Sequence, residues 1–590
     1  MPSIAVIATW LLLAVWLLLL GSPAGVLAGR RFGRLTAFRL ALWFGLAAAL
    51  LLLLLVNFIV PLRSSAAVTI AIAAAVIAAL IAVGLFVFFR ARNQAPNPPP
   101  QGRFGWWSLI LIAFLALSLI AVAHASFGAA NQWDAGLYHL NAIQYASEYR
   151  VIPGLANVHD RFGVTNSQHL LTALLSNSGW GVDAFRLQVG FFVFLFSTDL
   201  TLRVLDTRKT SRSVGTIVLL LSAFGVIPFL LSNPDELITS PSPDSVTLLI
   251  TLVGAAYLAD GLSARRTELA ATGIVIVATA ASVRTQMWAF AVIAAVVVFV
   301  YFRRGKSGRH RPKALTLVAG TISAGLLIAT QVRDALQSGW LLFPLDLLPL
   351  PVDWKAFDPA ASRLWIVSWA RTPGAAPEEV MDTWSWLGGW VTRALDDGAV
   401  RLMLGLLAVA ATLWLIHARR SSPAHQPSRG ATAALALMVP VLVAVALWFL
   451  SAPDPRFAWG PIILVGAIPA AVVVMQRLGS LAAPVAAAVA ALAIAPAAIS
   501  SLAAINGASE ESEAVVTFFD VPWTVSAALT PVPRPELAVY TLPTGQELIT
   551  PTSDDRCWTA FPLCRPYPND ALIFRGDSVQ DGFASRLWNE

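Results

Sequence analysis

The sequence predicts an all-α polytopic membrane protein with about fourteen transmembrane helices. Hydrophobic residues make up 57% of the 590 residues, charged residues make up only 12%, and the mean hydropathy is +0.71. Soluble proteins carry roughly 45–50% apolar and about 25% charged residues. These proportions exclude a soluble enzyme of several domains and a disordered chain, and they exclude a nucleic-acid binder despite a pI near 9.8.

The apolar runs between charged residues are long enough to cross a bilayer, which takes about 20 residues for each helix. Together they would occupy about half of the chain. The predicted spans lie near 4–21, 37–61, 66–89, 105–124, 184–205, 213–231, 244–262, 268–283, 287–302, 314–332, 399–417, 431–451, 457–475 and 480–503.

Basic residues in alternate loops predict the orientation, because such residues stay on the cytoplasmic side of a membrane. Placing every basic cluster in the cytoplasm leaves both termini outside, at an inner (plasma) membrane. The clusters are Arg30, Arg31 and Arg34; Arg90 and Arg92; Arg208, Lys209 and Arg212; Arg265 and Arg266; the basic residues of 303–311; Arg419 and Arg420; and Arg477. One missed span would invert every later loop, so this agreement supports the predicted count.

Four regions follow from this reading: an N-terminal three-helix segment (1–92), a Pro-rich cytoplasmic linker (93–103), a transmembrane core (104–503) and an extracytoplasmic C-terminal region (504–590) expected to hold a small α/β segment. The first apolar run has small residues at 24–28, as a cleaved signal peptide would. No basic residue precedes it, however, and Arg30 and Arg31 follow it closely. We therefore expect a retained helix.

The soluble mass is predicted on the outer side, in loops 125–183 and 333–397 and in the tail. ATP and nucleotide sugars are not available there. Any reaction on this side therefore needs a substrate that is already activated and that the membrane delivers.

The second outer loop is rich in tryptophan, with a third of the 21 Trp residues of the chain. These are Trp340, Trp354, Trp365, Trp369, Trp384, Trp386 and Trp390. Amphipathic helices in the headgroup layer, with an aromatic belt, are the favoured interpretation. Aromatic platforms for sugar rings or for a lipid chain are the alternative, and the two can hold for different Trp residues.

The only two cysteines, Cys557 and Cys564, lie in the predicted outer tail. Two thiols seven residues apart in an oxidising compartment predict one structural disulfide closing a small loop. Two cysteines alone do not make a zinc site.

The first outer loop holds the candidate chemistry. Asp134 follows a span by about ten residues, and Tyr138 shares its helix face at the i, i+4 spacing. A carboxylate at the membrane surface can take a proton from a hydroxyl acceptor. The alternative role for Asp134 is a helix N-cap.

Four of the seven histidines crowd the same region: His124, His139, His159 and His169. With Asp134 and Asp160 they offer ligands for a divalent metal, but no close-spaced signature such as HExxH is present. Hydrogen bonding at a wet interface is the favoured role of these histidines. A divalent ion, Mg²⁺ or Mn²⁺, bridging Asp134 to a substrate phosphate is a further alternative.

Three short outer turns add polar groups. Asp244 follows Ser240–Pro243, and it either caps the next helix or takes part in the site. Arg284 and Arg456 each lie between two spans, where a lone arginine usually reaches for lipid headgroups. Two arginines facing one cavity would instead clamp a phosphate, because guanidinium matches phosphate oxygens in bidentate fashion.

A polytopic core with an acidic residue early in its first large outer loop resembles the GT-C superfamily of membrane glycosyltransferases. More closely, the chain resembles a group of bacterial membrane proteins with GT-C-like architecture. The similar segments are Trp133–His139, Gly154–Phe162, Ser240–Asp244, Ser338–Trp354, Pro453–Phe457 and Cys557–Cys564, within roughly 105–590. The adjacent acidic pair usual in the superfamily is absent, since Trp133 and Ala135 flank Asp134.

This resemblance implies a GT-C-like core with outer amphipathic helices and a polyprenyl-phosphate sugar as the donor. Asp134 would activate the acceptor, with Asp160 or Asp244 as a second acidic partner, and Arg284 and Arg456 would bind the donor phosphate. The hexose or pentose would pass with inversion to a cell-envelope glycan, glycolipid or protein. Further candidate substrate-binding residues are Tyr138, His139, His159, Arg161 and Trp354.

Three other functions stay open. A polymerase or ligase would move a whole lipid-linked glycan. A flippase or transporter would place ionisable residues near the bilayer midplane, where this sequence has few. A non-catalytic membrane scaffold would use its tail to bind an envelope partner.

Overall fold

The computed structural model describes residues 2–91, 106–206, 213–304, 314–418, 432–505, 513–518, 521–526, 529–568 and 570–588. The predicted linker at 93–103 lies outside these residues. So do Arg92 and the basic residues of 208–212, 306–311 and 419–420.

Helices make up most of the described chain, because a helix satisfies the backbone hydrogen bonds of an apolar run internally. Each of the fourteen predicted spans coincides with one helix. The helices are α1 (Pro2–Gly29), α2 (Arg34–Asn57), α3 (Ser65–Ala91), α4 (Trp106–Ala125), α5 (Leu140–Glu148), α6 (Ser167–Leu175), α7 (Gln188–Leu205), α8 (Val214–Ser232), α9 (Pro243–Ser263), α10 (Thr267–Val283), α11 (Trp288–Arg304), α12 (Ala314–Ser338), α13 (Pro359–Arg371), α14 (Pro377–Val380), α15 (Leu387–Asp396), α16 (Gly398–Ala418), α17 (Met438–Ser451), α18 (Trp459–Leu478) and α19 (Ala482–Ile505).

Twelve helical segments of the described residues are long and apolar enough to cross a membrane, so the protein is a multi-pass membrane protein. One of the twelve, Pro455–Leu502, contains both α18 and α19, and Gly479 with a φ of 53° lies between them. The apolar helix α10, with 17 residues, is shorter than these segments.

The bundle is built around α9, of which 94% of the most apolar stretch is buried, whereas α3 and α16 lie at its periphery with 17%. The first helices are part of this bundle, since α1 packs on α2 and α2 packs on α12 and α10. A Cβ at Gly21 of α1 or at Gly45 of α2 would lie 1.8 Å from a backbone oxygen of the other helix. Glycine at both positions therefore permits close helix packing, as in many membrane bundles.

A buried ionic network joins α2, α7 and α9. Asp199 is fully buried and accepts hydrogen bonds from Arg203 Nε at 2.5 Å, Tyr257 Oη at 2.8 Å and Trp43 Nε1 at 3.1 Å. Nη1 of Arg203 lies 2.7 Å from Asp260. Opposite charges therefore compensate one another inside the bundle, which a buried charge requires.

One end of the bundle carries the loop 126–187, the segment 339–397 and the C-terminal region. We call this end the loop end. The described C-terminal residues form three antiparallel hairpins: β1 (Glu513–Phe518) with β2 (Val521–Ser526), β3 (Leu537–Thr541) with β4 (Glu547–Pro551), and β5 (Leu572–Phe574) with β6 (Phe583–Ser585). Short 3₁₀ turns accompany them, but the described residues beyond α19 contain no α-helix. The expectation of an α/β segment is therefore correct only for the strands. The stretches between the turns of this region are too short to form a helix.

Candidate functional site

Asp134 begins a π-helical turn, Ala135–His139, that leads directly into α5. Although it occupies the N-cap position, its side chain makes no capping hydrogen bond. The alternative role of Asp134 as a side-chain N-cap is therefore not what the structure shows, and its carboxylate points to a different partner.

That partner is Arg456. The Oδ2 atom of Asp134 lies 2.9 Å from Nη1 of Arg456, and each side chain is about one-fifth exposed. Arg456 is held in a 3₁₀ turn, Pro455–Ala458, by Asp454, whose carboxylate accepts a hydrogen bond from the Arg456 amide at 3.0 Å. Nε of Arg456 lies 3.8 Å from the same Asp454 carboxylate. A loop between two helices thus presents one guanidinium to two carboxylates.

The second arginine approaches the same place from the turn between α10 and α11. Arg284 forms an ion pair with Asp244, which lies in the first turn of α9. Its guanidinium carbon lies 4.6 Å from the centroid of the Phe457 ring, and that of Arg456 lies 5.1 Å from the same centroid. One aromatic ring therefore brings the two guanidinium groups together, at a distance where cation–π attraction operates.

The electrostatics of Asp134 follow from these contacts. Burial alone would raise its pKa, but the charges of Arg456, Arg161 and Arg284 outweigh it and hold the pKa of the carboxyl below its usual value. Asp134 is therefore ionised at neutral pH, and it is a weaker base while it stays paired with Arg456.

Tyr138 and His139 line the inner side of the turn. Burial and the charge of Asp134 raise the pKa of Tyr138 to about 12, so its phenol stays protonated. Its ring packs against His139 and stacks on His159, with centroid distances of 4.3 and 6.0 Å. The three side chains thus form an aromatic wall beside the carboxylate.

His139 and His169 form a buried neutral pair with ring centroids 5.2 Å apart. Burial lowers the pKa of His139 well below its usual value and that of His169 to about 4. His169 Nε2 lies 3.1 Å from the Pro241 carbonyl, whereas neither ring nitrogen of His139 has a hydrogen-bond partner among the described residues. A buried polar group without a partner is rare and calls for an explanation, such as an ordered water or a ligand.

A cavity of about 30 Å³ adjoins this wall, lined in part by Tyr138, Arg161, His169 and Gln337. A space of this size holds a water molecule when polar groups surround it. Oε1 of Gln337 is buried and makes no hydrogen bond among the described residues. The cavity therefore suits a water molecule that Gln337 and His169 would bind.

Asp160 is not brought to Asp134. Its carboxylate accepts a hydrogen bond from the Arg161 amide at 2.8 Å and lies 3.0 Å from His159 Nδ1, within a 3₁₀ turn. Burial opposes ionisation, but Arg161 and His159 hold the pKa of Asp160 well below its usual value. Asp160 therefore fixes the turn that presents Arg161, and Asp244 is the acid that lies closer to the arginines.

Trp354 is also held elsewhere. Its carbonyl accepts a hydrogen bond from Asn157 at 3.0 Å, and Arg575 of the tail lies over its ring at 4.8 Å. None of its described contacts involves Asp134 or the two arginines, so its candidate role as a substrate-binding residue has no support from the geometry.

The Trp-rich segment supplies a different aromatic ring. Trp369 of α13 lies over the guanidinium of Arg456, 4.6 Å from ring centroid to Cζ, and is 40% exposed. Trp386 and Trp390 pack on each other and on Phe449, whereas Trp365 and Trp384 are more than half exposed. Some of the seven Trp residues are thus packed and others are exposed. Trp369 is the one whose described contacts include an arginine of the site.

The C-terminal region covers part of the site. Cys557 and Cys564 form a disulfide bond, and the Trp558 amide within this loop donates to the Gly136 carbonyl at 2.8 Å. Asn141 donates to the Trp558 carbonyl at 3.0 Å. The disulfide loop therefore covers the turn that begins at Asp134.

Sequence reasoning missed Asp454, Phe457 and Trp558 as members of this site. Asp454 and Phe457 stand beside Arg456 in the Pro453–Phe457 turn, and an Asp before Pro is a typical start of a turn or helix, so a signal was present. For Trp558, nothing in the sequence indicates contact with Gly136.

The described residues contain no group of three or more His, Cys, Asp or Glu side chains that could hold a metal ion. His124 lies within 3.4 Å of the Ser3 hydroxyl instead, and Asp134 is engaged by Arg456. The described donor set therefore does not fit a metal held by protein ligands alone.

One protein family matches this chain. The family model described as "Domain of unknown function (DUF8201)" matches residues 4–463, more than three quarters of the chain. Neither a curated protein nor a solved structure was found to match it.

Proposed function

We propose that this chain, which belongs to the DUF8201 family, is a membrane glycosyltransferase that uses a polyprenyl-phosphate sugar. The sugar passes to an acceptor of the cell envelope with inversion at the anomeric carbon. In this proposal the bundle has a GT-C-like core and crosses the membrane fourteen times, with both termini and the loop end outside. The alternation of basic loops along the chain supports that orientation.

The observation that carries the proposal is the Asp134–Arg456 ion pair with Arg284 at the same Phe457 ring. Each guanidinium has a carboxylate partner, so the site is nearly neutral as it stands. The phosphodiester of a polyprenyl-phosphate sugar carries one negative charge, and it would compete with Asp134 and Asp244 for the arginines. Guanidinium binds phosphate through paired hydrogen bonds, which favours this exchange.

The exchange would place each group where a displacement reaction needs it. With the donor phosphate on Arg284 and Arg456, Asp134 is freed and its pKa rises towards the ordinary value. Its carboxylate then takes the proton of an acceptor hydroxyl while that oxygen attacks the anomeric carbon. The bond from that carbon to the phosphate oxygen breaks, and the oxygen keeps the electron pair.

The leaving polyprenyl phosphate carries more negative charge than the bound donor. The two arginines stabilise that charge, so no general acid is required. The proton taken by Asp134 passes to solvent after the glycoside departs. One displacement of this kind inverts the configuration of the sugar.

The Trp-rich helices would hold the lipid part of the donor. Trp365 and Trp384 are exposed by 58% and 65%, as expected of indoles at a lipid headgroup layer. Trp369 is 40% exposed and covers the guanidinium of Arg456, so in this proposal a lipid arriving from the bilayer would bring its phosphate past this ring to the clamp.

The proposal is tested by Asp134→Asn in cells whose own copy of the gene is deleted. We expect the deletion to remove a sugar from an envelope glycan and to accumulate its polyprenyl-phosphate donor. The wild-type gene should restore the glycan, and Asp134→Asn should not, at equal protein levels. Mass spectrometry of envelope glycans and of extracted polyprenyl lipids measures both effects.

Asp353→Asn is the matched control. It makes the same change at a 63% exposed carboxylate of the loop end that pairs with Arg575, and it should restore the glycan fully. Full restoration by Asp134→Asn would refute the assignment of the base. A deletion without any change of glycans or polyprenyl lipids would refute the enzyme itself.

A further inference from the structure

A second and much larger cavity lies on the other side of α5. It encloses about 510 Å³, within the range of sites that bind small ligands. Its walls come from α5, from the residues before α7 and from the disulfide loop, with Arg63 at one edge. We call it the α5 groove.

Helix α5 separates this groove from the aromatic wall beside Asp134. Leu140, Gln144 and Glu148, one turn apart, face the groove, as do Ile143 and Ser147. Ala142 and Tyr145 face the small cavity next to Tyr138 instead. The helix that begins at the Asp134 turn is thus the partition between the two spaces.

The groove offers hydrogen bonds that the described residues do not use. Oε1 of Gln144 is buried and accepts no hydrogen bond among them. The hydroxyls of Ser147 and Ser176 donate to backbone carbonyls of their own helices, which leaves their lone pairs available as acceptors. Thr559 of the disulfide loop adds a third hydroxyl.

Aromatic and apolar surface faces these polar groups. The rings of Tyr149 and Phe561, 6.1 Å apart, form one wall, and Leu140, Ile143 and Phe185 form the floor. The charges at the edge cancel, since Arg63 Nη1 lies 3.0 Å from Oε1 of Glu148. The groove is therefore amphipathic, with more apolar than polar surface, and it is uncharged overall and partly aromatic.

These features select among ligands. An anionic headgroup would find no cation inside the groove, because the one arginine of its lining, Arg63, lies at the edge. An acyl chain would leave the Gln144 amide buried without a partner, which is unfavourable. A neutral ring with many hydroxyls and apolar C–H faces satisfies both the amide and the aromatic wall.

We infer that the α5 groove binds a neutral saccharide unit of the acceptor glycan. Binding of a saccharide stands on the groove alone, and its role as acceptor rests on the proposed function. Leu140 lies six residues beyond Asp134, across the π-helical turn, so the groove begins more than one helical turn away from the carboxylate. A single sugar in the groove does not span that distance, so the acceptor is an oligosaccharide of at least two units.

The disulfide loop connects the groove to the catalytic turn. Trp558 contacts Gly136 at the turn, and the next residue, Thr559, lines the groove. A glycan lying in the groove would therefore contact the same loop that covers the turn beginning at Asp134.

The test uses the full-length protein in phospholipid nanodiscs, because many detergents carry sugars. The probes are maltotetraose, cellotetraose and α-1,6-mannotetraose, and binding is measured by saturation-transfer NMR and calorimetry. We expect at least one probe to bind, and Gln144→Leu to weaken it by about tenfold. Gln580→Leu, the same change in the tail outside the groove, should leave the affinity unchanged.

Asp134→Asn separates this inference from the proposed function. We expect it to bind the probe with wild-type affinity while glycan transfer is lost. Failure of all three probes to bind, or equal affinity in Gln144→Leu and wild type, would overturn the saccharide site even if transfer stands. If binding depends on Gln144 but deletion of the gene changes no glycan, the saccharide site stands and only the proposed enzymatic function is refuted.

Discussion

Oδ2 of Asp134 lies 2.9 Å from Nη1 of Arg456, although 322 residues separate the two along the chain. The pair joins the first large loop of the bundle to a turn between its late helices. It holds an acid in its charged form next to a cation that phosphate would bind.

Arg456→Lys keeps the positive charge but removes the planar pair of donors, because an ammonium group is a point charge. We expect sugar transfer in membranes to fall by at least about tenfold, with the larger part of the loss in KM for the polyprenyl-phosphate donor. Transfer is measured with radiolabelled donor at several concentrations. Arg575→Lys changes an arginine of the tail that pairs with Asp353, and its transfer rate should stay within twofold of wild type. Equal kinetics of Arg456→Lys and wild type would contradict the phosphate clamp.

Gly136→Ala should loosen the disulfide loop from the site. A Cβ at this position would lie 2.8 Å from the ring of Trp558, which is 97% buried and has no free space to move into. Overpacking of this kind costs about 1–3 kcal/mol. We expect faster proteolysis of the tail and less transfer, both measured on purified protein.

Gly388→Ala is the control for this change, because a Cβ at Gly388 on α15 has open space around it. A tail equally resistant to protease in both variants would show that the contact between Trp558 and Gly136 does not hold the loop.

Stability should fall as the pH drops from about 6.5 to about 4, the window between the ordinary pKa of histidine and that of His169. In this window the unfolded chain binds a proton that buried His169 does not, so acid favours unfolding. The loss from this one group is about 3 kcal/mol over the whole window. His139 acts in the same direction.

Thermal unfolding in nanodiscs between pH 7 and pH 4.5 measures this effect. His169→Gln retains a donor for the Pro241 carbonyl but does not titrate, so its melting temperature should depend less on pH. The same pH dependence in variant and wild type would place the acid sensitivity in other groups.

Asp199→Asn should destabilise the bundle by about 3–5 kcal/mol, because the buried Arg39 and Arg203 both lose a charged partner, although Arg203 keeps Asp260. Glu148→Gln breaks an ion pair in which both side chains are more than 40% exposed, and it should cost less than about 1 kcal/mol. The two unfolding temperatures are compared in the same lipid. Equal shifts would mean that the charges around Asp199 are compensated by groups outside this network.

Much of the fold could be predicted because the bilayer imposes a length on each apolar run. Each predicted span coincides with a helix, from α1 to α19, and the positions of Arg284 and Arg456 in turns between helices were predictable on the same ground. Hydropathy gives the position of a residue along the membrane normal. It does not give the order of helices around the bundle.

The pairings therefore could not be predicted. The structure brings Arg456 to Asp134 and Arg284 to Asp244, and these partners depend on which helices are neighbours. Trp354 shows the same limit, because its place in a Trp-rich loop indicated a substrate platform while the tail residue Arg575 covers its ring. Strands were expected in the C-terminal region, but their pairing into three hairpins was not predicted, since short strands carry little periodicity.

The contact between Trp558 and Gly136 has a consequence for biosynthesis. A ribosome makes the turn at Gly136 more than four hundred residues before it reaches Trp558, so every helix of the bundle is complete while that turn is still uncovered. A chain that stops short of the last few dozen residues would insert normally and yet lack the loop over its centre. Under the proposed function, the residues made last complete the site, so a prematurely ended protein would be inactive rather than partly active.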